Sequence, residues 1–149
     1  MEIIYHCYGG THSSVLAAAR HTGLVMNNKS VNSQLFQIPF FDCQDRTNQG
    51  YLYFFAKDEN GNRVYVIGRR WCHEALSLVL GGAKGEPLPS ELLLINTFCC
   101  VPWLLRLAGY LSRRLGLSRF TRPLLLLGMR QADGCIRELV FRVKLEITG

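Results

Sequence analysis

The hydrophobic pattern of this 149-residue chain changes period several times, and each change marks an element. Glu2–Tyr8 is rich in strand-forming residues, so the first strand is expected at Ile3–Tyr8, running into a turn at Gly9–Ser14. Val15, Ala18, Ala19 and Thr22 then recur at helical spacing, with Gly23 as the stop. The small Ala17, Ala18 and Ala19 allow this helix to lie close against a sheet.

Asn27–Asp45 is polar and broken by Pro39, which fits a short helix and a loop. Tyr51–Lys57 and Arg63–Gly68 flank Asn60-Gly61, the clearest hairpin signal in the chain. Trp71, Ala75, Leu78 and Val79 suggest a helix ending near Gly81-Gly82, and Pro87 and Pro89 mark a connection. Leu92–Ile95 reads as a central strand, and Pro102 opens a helix with a face of Leu104, Leu107, Ala108, Leu111 and Leu115.

Pro123–Leu127 reads as another buried strand. Residues 134–149 fit either period, and a helix followed by a short extended tail is the preferred reading. The sum is one compact three-layer α/β domain over residues 1–149. It has a mainly parallel sheet, an inserted β-hairpin and helices on both faces.

Composition narrows the class. Apolar residues make up 48% of the chain, which argues against disorder. The greasy stretch Leu92–Leu111 is interrupted by Asn96, Thr97, Pro102 and Arg106, so a membrane span is not expected. Cys7, Cys43, Cys72, Cys99, Cys100 and Cys135 have neither CxxC nor zinc-site spacing, and no secretory signal is recognised; reduced thiols in a cytoplasmic protein are the expectation. A net charge of +6 favours anionic partners without choosing among them, and no established nucleic-acid-binding signature accompanies it.

The first turn, Tyr5-His6-Cys7-Tyr8-Gly9-Gly10-Thr11-His12-Ser13-Ser14, has the context of an anion site. Glycines permit close backbone approach, and a helix N-terminus presents unpaired N–H groups. Thr11, Ser13 or Ser14 can donate to a phosphate oxygen, or serve as an ordinary hydroxyl cap. The turn is no Walker A loop, since Gly9 and Gly10 are followed five residues on by Ser14 and Val15 and there is no lysine. GxGxxG spacing is absent too. Cys7 invites comparison with Cys-x5-Arg phosphatase loops, yet Ser13 occupies the arginine position.

His6 and His12 flank the turn as candidate proton carriers, and His12 has the stronger claim because the turn should expose it. A metal recruiting His6, His12, Cys7, Cys72 or His73 lacks any spacing that would fix four ligands, so none is assigned. Asn96, Thr97 and Arg130 follow expected strand ends, where α/β proteins often bind ligands. Arg69-Arg70 and Arg113-Arg114 with Arg122 form basic regions that fit phosphate or a solvated face. Asp42 and Asp45 read as ordinary loop carboxylates, and Tyr51, Tyr53, Phe54 and Phe55 as packing residues.

Four segments, IIYHCYGGTHSSVLAAA at Ile3–Ala19, PFFD at Pro39–Asp42, NGNRVYVIGRR at Asn60–Arg70 and INTFCCVPWLLRLAGYLSRRLGLSRFTRP at Ile95–Pro123, resemble DUF3189. This uncharacterised bacterial family occurs mainly in spore-forming Firmicutes. The resemblance implies that Tyr5–Ser14 and Ser112–Gly116 belong to its characteristic pattern; it brings no established reaction and no known cofactor.

The expected function is binding of a phosphorylated small molecule or nucleotide, with phosphotransfer or hydrolysis as its chemistry. Gly9, Gly10, Thr11, Ser13 and Ser14 would hold phosphate, His12 would move a proton, and Arg113, Arg114 or Arg130 would balance charge. The alternative is a non-enzymatic regulatory or interaction domain that binds an acidic protein or nucleic acid through its basic face.

Overall fold

In a computed structural model the described residues are 1–25, 34–42, 50–69, 91–107, 110 and 118–149, with backbone alone at 118–121. Strand β1 (Glu2–Cys7) leads into helix α1 (Ser13–His21), a 3-10 turn follows at Leu35–Gln37, and strands β2 (Tyr53–Lys57) and β3 (Arg63–Gly68) form the hairpin. Strand β4 (Leu92–Asn96), a 3-10 turn at Phe98–Cys100, a helical segment at 103–107 and helix α2 (Ser118–Thr148) complete the order. The open sheet runs β2-β3-β1-β4. β1 is parallel to both β3 and β4, while β2 is antiparallel to β3.

The hairpin forms where Asn60-Gly61 predicts it, with Gly61 at φ +81°. Among the described residues strand β4, expected in the centre, lies at the sheet's edge. Its apolar run does not require two strand neighbours, because one face is covered and Leu94 on the other is exposed.

Side chains alternate across the sheet, so Ile3, Tyr5, Val64, Val66 and Ile95 share the main core with both helices. Ile4 and Ile67 form a small cluster on the opposite face. Both long helices of the described residues belong to the first face; the helix expected from Trp71 lies outside the described residues, as do Arg113 and Arg114. All nine residues of α1 are buried, with β1 and β3 on one side and α2 on the other. The short side chains of Ala17, Ala18 and Ala19 make that double contact possible.

The strand expected at Pro123–Leu127 is instead part of α2, which also absorbs the tail as far as Thr148. Four consecutive leucines have no intrinsic period, and leucine is a good helix former. The buried stripe Leu125, Met129, Ala132, Ile136, Val140 and Val143 is helical and runs straight past Gly128. Gly128 is a packing residue: a Cβ there would stand 2.9 Å from the Cβ of Leu105. In the 103–107 segment Leu105 is buried and Leu107 exposed, so the face of that segment differs from the one expected.

The expectation of reduced thiols also needs correction. Cys100, after β4, forms a disulfide with Cys135 on α2, because the helix brings a distant cysteine to the strand-end turn. Among the described residues Cys7 and Cys99 are free, and no helix is long and apolar enough to cross a membrane.

Candidate functional site

The carboxyl ends of β1, β3 and β4 meet at the β1–α1 turn. Gly10, at φ +72°, packs backbone to backbone on Gly68: a Cβ on Gly10 would come within 2.5 Å of the Gly68 nitrogen, and one on Gly68 within 2.7 Å of the Gly9 carbonyl. The glycines therefore seat the turn on the end of β3. This is a structural use of the close approach that the sequence suggested for a ligand.

Seating the turn places its amides around Cys7. The Gly10 N–H donates to Cys7 Sγ at 3.0 Å, and Ser14 Oγ lies 3.3 Å from the same sulfur. Burial pushes the thiol's pKa up. The Ser14 hydroxyl and N–H, the Ser13 hydroxyl and the Gly10 N–H outweigh that effect and hold it below the ordinary thiol value. Cys7 is thus a buried sulfur whose hydrogen-bond donors ease its ionisation against the effect of burial.

None of the hydroxyls caps α1. The N-cap is His12, without a side-chain cap bond. Ser14 serves Cys7, and Ser13 Oγ lies 3.0 Å from Thr97 Oγ1, which itself donates to the His6 carbonyl. Thr97, proposed from its strand-end position, therefore does join the first turn. Its neighbour Asn96 accepts from the Phe98 N–H and shapes the following bend.

His12 Nε2 lies 3.2 Å from Asp42 Oδ1, and the Asp42 N–H donates to the Thr11 carbonyl. Asp42, at φ +55°, is thereby tied to the turn by both backbone and side chain, which its sequence context as a loop carboxylate did not reveal. The edge of Phe41 against the His12 ring fixes the imidazole further. His6 is buried on the other side of β1 from Cys7, so these two adjacent candidates diverge.

Not every candidate converges. Arg130 is exposed on α2, because the strand that would have aimed it at the site is helical. Among the described residues no three His, Cys, Asp or Glu side chains are gathered to hold a metal. Gly9, Gly10, Thr11, Ser13 and Ser14 are buried, while Tyr8 and His12 are the half-exposed members of the turn.

Fold and site together define a small α/β protein with a hydrogen-bonded thiol at the junction of its first strand and first helix. The chain belongs to the family described as Protein of unknown function (DUF3189), whose model matches residues 2–145. No curated protein and no solved structure matches it.

Proposed function

We propose that the chain binds a phosphorylated small molecule or nucleotide at the β1–α1 turn and transfers or hydrolyses its phosphoryl group through Cys7. The observation that carries this reading is the donor set on Cys7 Sγ, a backbone N–H and a serine hydroxyl at the N-terminus of α1. A thiolate is the reactive form of cysteine, and helix N-terminal amides favour an anion beside it.

In the proposed reaction the thiolate attacks phosphorus. An S–P bond forms, and the ester P–O bond breaks with its electron pair on the leaving oxygen. His12, oriented by Asp42, gives that oxygen a proton. Attack by water then cleaves the S–P bond, releases phosphate and regenerates the thiolate, while a water proton returns to His12. Cys7 is the covalent centre of this scheme and His12 its proton carrier.

Acid-quenched mass spectrometry during reaction with an aryl phosphate tests it. The expected result is a phosphoryl adduct on the Cys7 peptide, lost with Cys7→Ser together with turnover, by a factor of about 10⁴ or more. Turnover that survives Cys7→Ser overturns the covalent scheme.

The burial of Gly9, Gly10, Thr11, Ser13 and Ser14 favours a second reading, in which the turn is architectural and the chain is an interaction domain. That reading predicts no adduct. It also predicts salt-sensitive capture of nucleic acid or an acidic protein that Arg113→Ala and Arg114→Ala abolish.

A further inference from the structure

Thr97 borders the Cys7 site from the end of β4, and a disulfide restrains the chain just beyond it. Thr97 Oγ1 gives its hydrogen to the His6 carbonyl, so in its 3.0 Å contact with Ser13 Oγ the serine is the donor. A hydroxyl has a single hydrogen, and Ser13 divides it between Thr97 and the Cys7 sulfur, which it also reaches. Loosening Thr97 therefore leaves more of that hydrogen to Cys7.

Thr97 is the N-cap of the 3-10 turn at Phe98–Cys100, and the Cys100 N–H donates back to its carbonyl at 3.2 Å. Cys100 is bonded across 35 residues of chain to Cys135 on α2. Two residues earlier on that helix, Asp133 accepts from Arg20 Nε of α1 at 2.7 Å. The disulfide thus links the contacts near the two ends of α1, Ser13 with Thr97 and Arg20 with Asp133. A single 3-10 turn has poor hydrogen-bond geometry, so the covalent link supplies a restraint that the turn itself lacks.

The two cysteines of the bond are unequally placed. Cys100 is only 6% exposed, whereas Cys135 is exposed. Thiol–disulfide exchange requires access to one sulfur, and the Cys135 side offers it.

We propose that the Cys100–Cys135 disulfide is a redox latch on the Cys7 site, opened at Cys135 by a low-molecular-weight thiol, and that opening it makes Cys7 more reactive. A thiolate attacks Cys135 Sγ, forming a mixed disulfide. The Cys100–Cys135 bond breaks with its electron pair on Cys100 Sγ, which takes a proton from water. A second thiolate attacks the small-molecule sulfur of the mixed disulfide, and Cys135 leaves as a thiolate that is protonated in turn. Two small thiols are oxidised to one disulfide, and the protein disulfide gains two electrons. Released from the strained position of its partner turn, Thr97 then competes less for the Ser13 hydrogen. The latch rests on the phosphoryl reading only for its consequence in turnover; its tests read thiol chemistry, so either can fail alone.

The first test incubates air-oxidised, folded wild type with glutathione, quenches with acid and maps the peptides. The bond is expected to open without denaturant, with the glutathione adduct on Cys135. A bond that opens only in urea, an adduct on Cys100, or a chain without the Cys100–Cys135 bond overturns the latch.

The second test measures iodoacetamide alkylation of Cys7 at neutral pH after removal of the reductant. Reduced wild type and Cys135→Ala should react about threefold or more faster than the disulfide-bonded chain, because more of Cys7 is thiolate. Thr97→Val removes the competing acceptor while the disulfide stays intact, and it should reproduce the gain. In Ser13→Ala, reduction should leave the rate unchanged. Equal rates for oxidised and reduced wild type overturn the proposal. So does a gain on reduction that survives Ser13→Ala, since it would reflect mere exposure of the sulfur. Reduced wild type keeps the comparison decisive if Cys135→Ala fails to fold.

Discussion

Helix α1 carries a buried polar network at each end, and the two differ in how fully they are closed. At its C-terminus, Tyr5 Oη donates to His21 Nδ1 at 2.7 Å, and His21 Nε2 donates to Asp58 Oδ2 at 3.1 Å. The same carboxylate accepts the N–H groups of Asn60 and Asn62 and the Asn62 side-chain amide. Every group has a matching partner within the protein, so the hairpin turn, the helix end and the first strand are locked together. At the N-terminus the donors converge on Cys7 Sγ, while Arg69, whose backbone N–H donates to the Cys7 carbonyl, has a side-chain Nε without an acceptor among the described residues. A closed network holds a fold; an open one leaves capacity for a ligand.

Breaking the closed end should have the largest effect on stability. Asp58→Ala leaves the buried His21 N–H without its acceptor and removes three bonds that hold the part-exposed hairpin turn, and about 3–5 kcal/mol of unfolding free energy should be lost in urea titration. The same network sets the acid limb. Burial lowers the His21 pKa against the opposing pull of Asp58, so folded His21 stays neutral where an unfolded histidine takes a proton. Burial raises the Asp58 carboxyl, but its bonds from Asn62, His21 and Asn60 outweigh this and hold it below its ordinary value.

Both groups bind fewer protons folded than unfolded, so stability should fall as pH drops below about 6.5 for His21 and again below about 4 for Asp58. Asp58→Ala should remove the lower step. Wild-type stability that stays flat through both ranges would show that this end is not closed as described.

How far the sequence revealed these ends follows from the distances involved. Asn60-Gly61 announced the hairpin because turn chemistry is local, and strand, turn and helix were legible together over the first 21 residues. Of the C-terminal helix only the later part, expected from Ile136, Leu139, Val140 and Val143, was legible, since the run of leucines before Gly128 carries no period until it is joined to the stripe beyond it. At the site, Ser13 and Ser14 stood out as hydroxyls, but which of them faces Cys7 depends on the rotation of α1. Asp42 reaches His12 across 30 residues and Thr97 reaches Ser13 across 84. Strand-end logic found Thr97; nothing local distinguished Asp42 from a solvated carboxylate.

Two glycines with the same backbone hand sharpen the contrast between local turn chemistry and tertiary packing. Gly61 at φ +81° has open space where a Cβ would be, so Gly61→Ala should cost about 1 kcal/mol, mainly from the left-handed conformation. Gly10→Ala adds a collision with the Gly68 backbone, which belongs to a paired strand and cannot easily yield. A loss of about 3 kcal/mol is expected, accompanied by displacement of the turn from Cys7. Equal costs for the two variants would show that the glycine of the turn is needed for conformation alone.

The smallest stability change probes the open end most directly. Ser14→Ala removes one donor from Cys7 Sγ and should cost only about 1 kcal/mol in unfolding free energy. Its effect on chemistry should be plain. With that hydroxyl gone, burial has less opposition and the thiol pKa must rise. The rate of iodoacetamide alkylation at Cys7, resolved from the other cysteines by peptide mapping, should reach half its maximum at higher pH in the variant than in wild type. Ser13→Ala should move the profile in the same direction by less, because that hydroxyl is shared with Thr97. If neither variant moves it, the hydroxyls are spectators, and the N-terminal end of α1 is as purely structural as the C-terminal end.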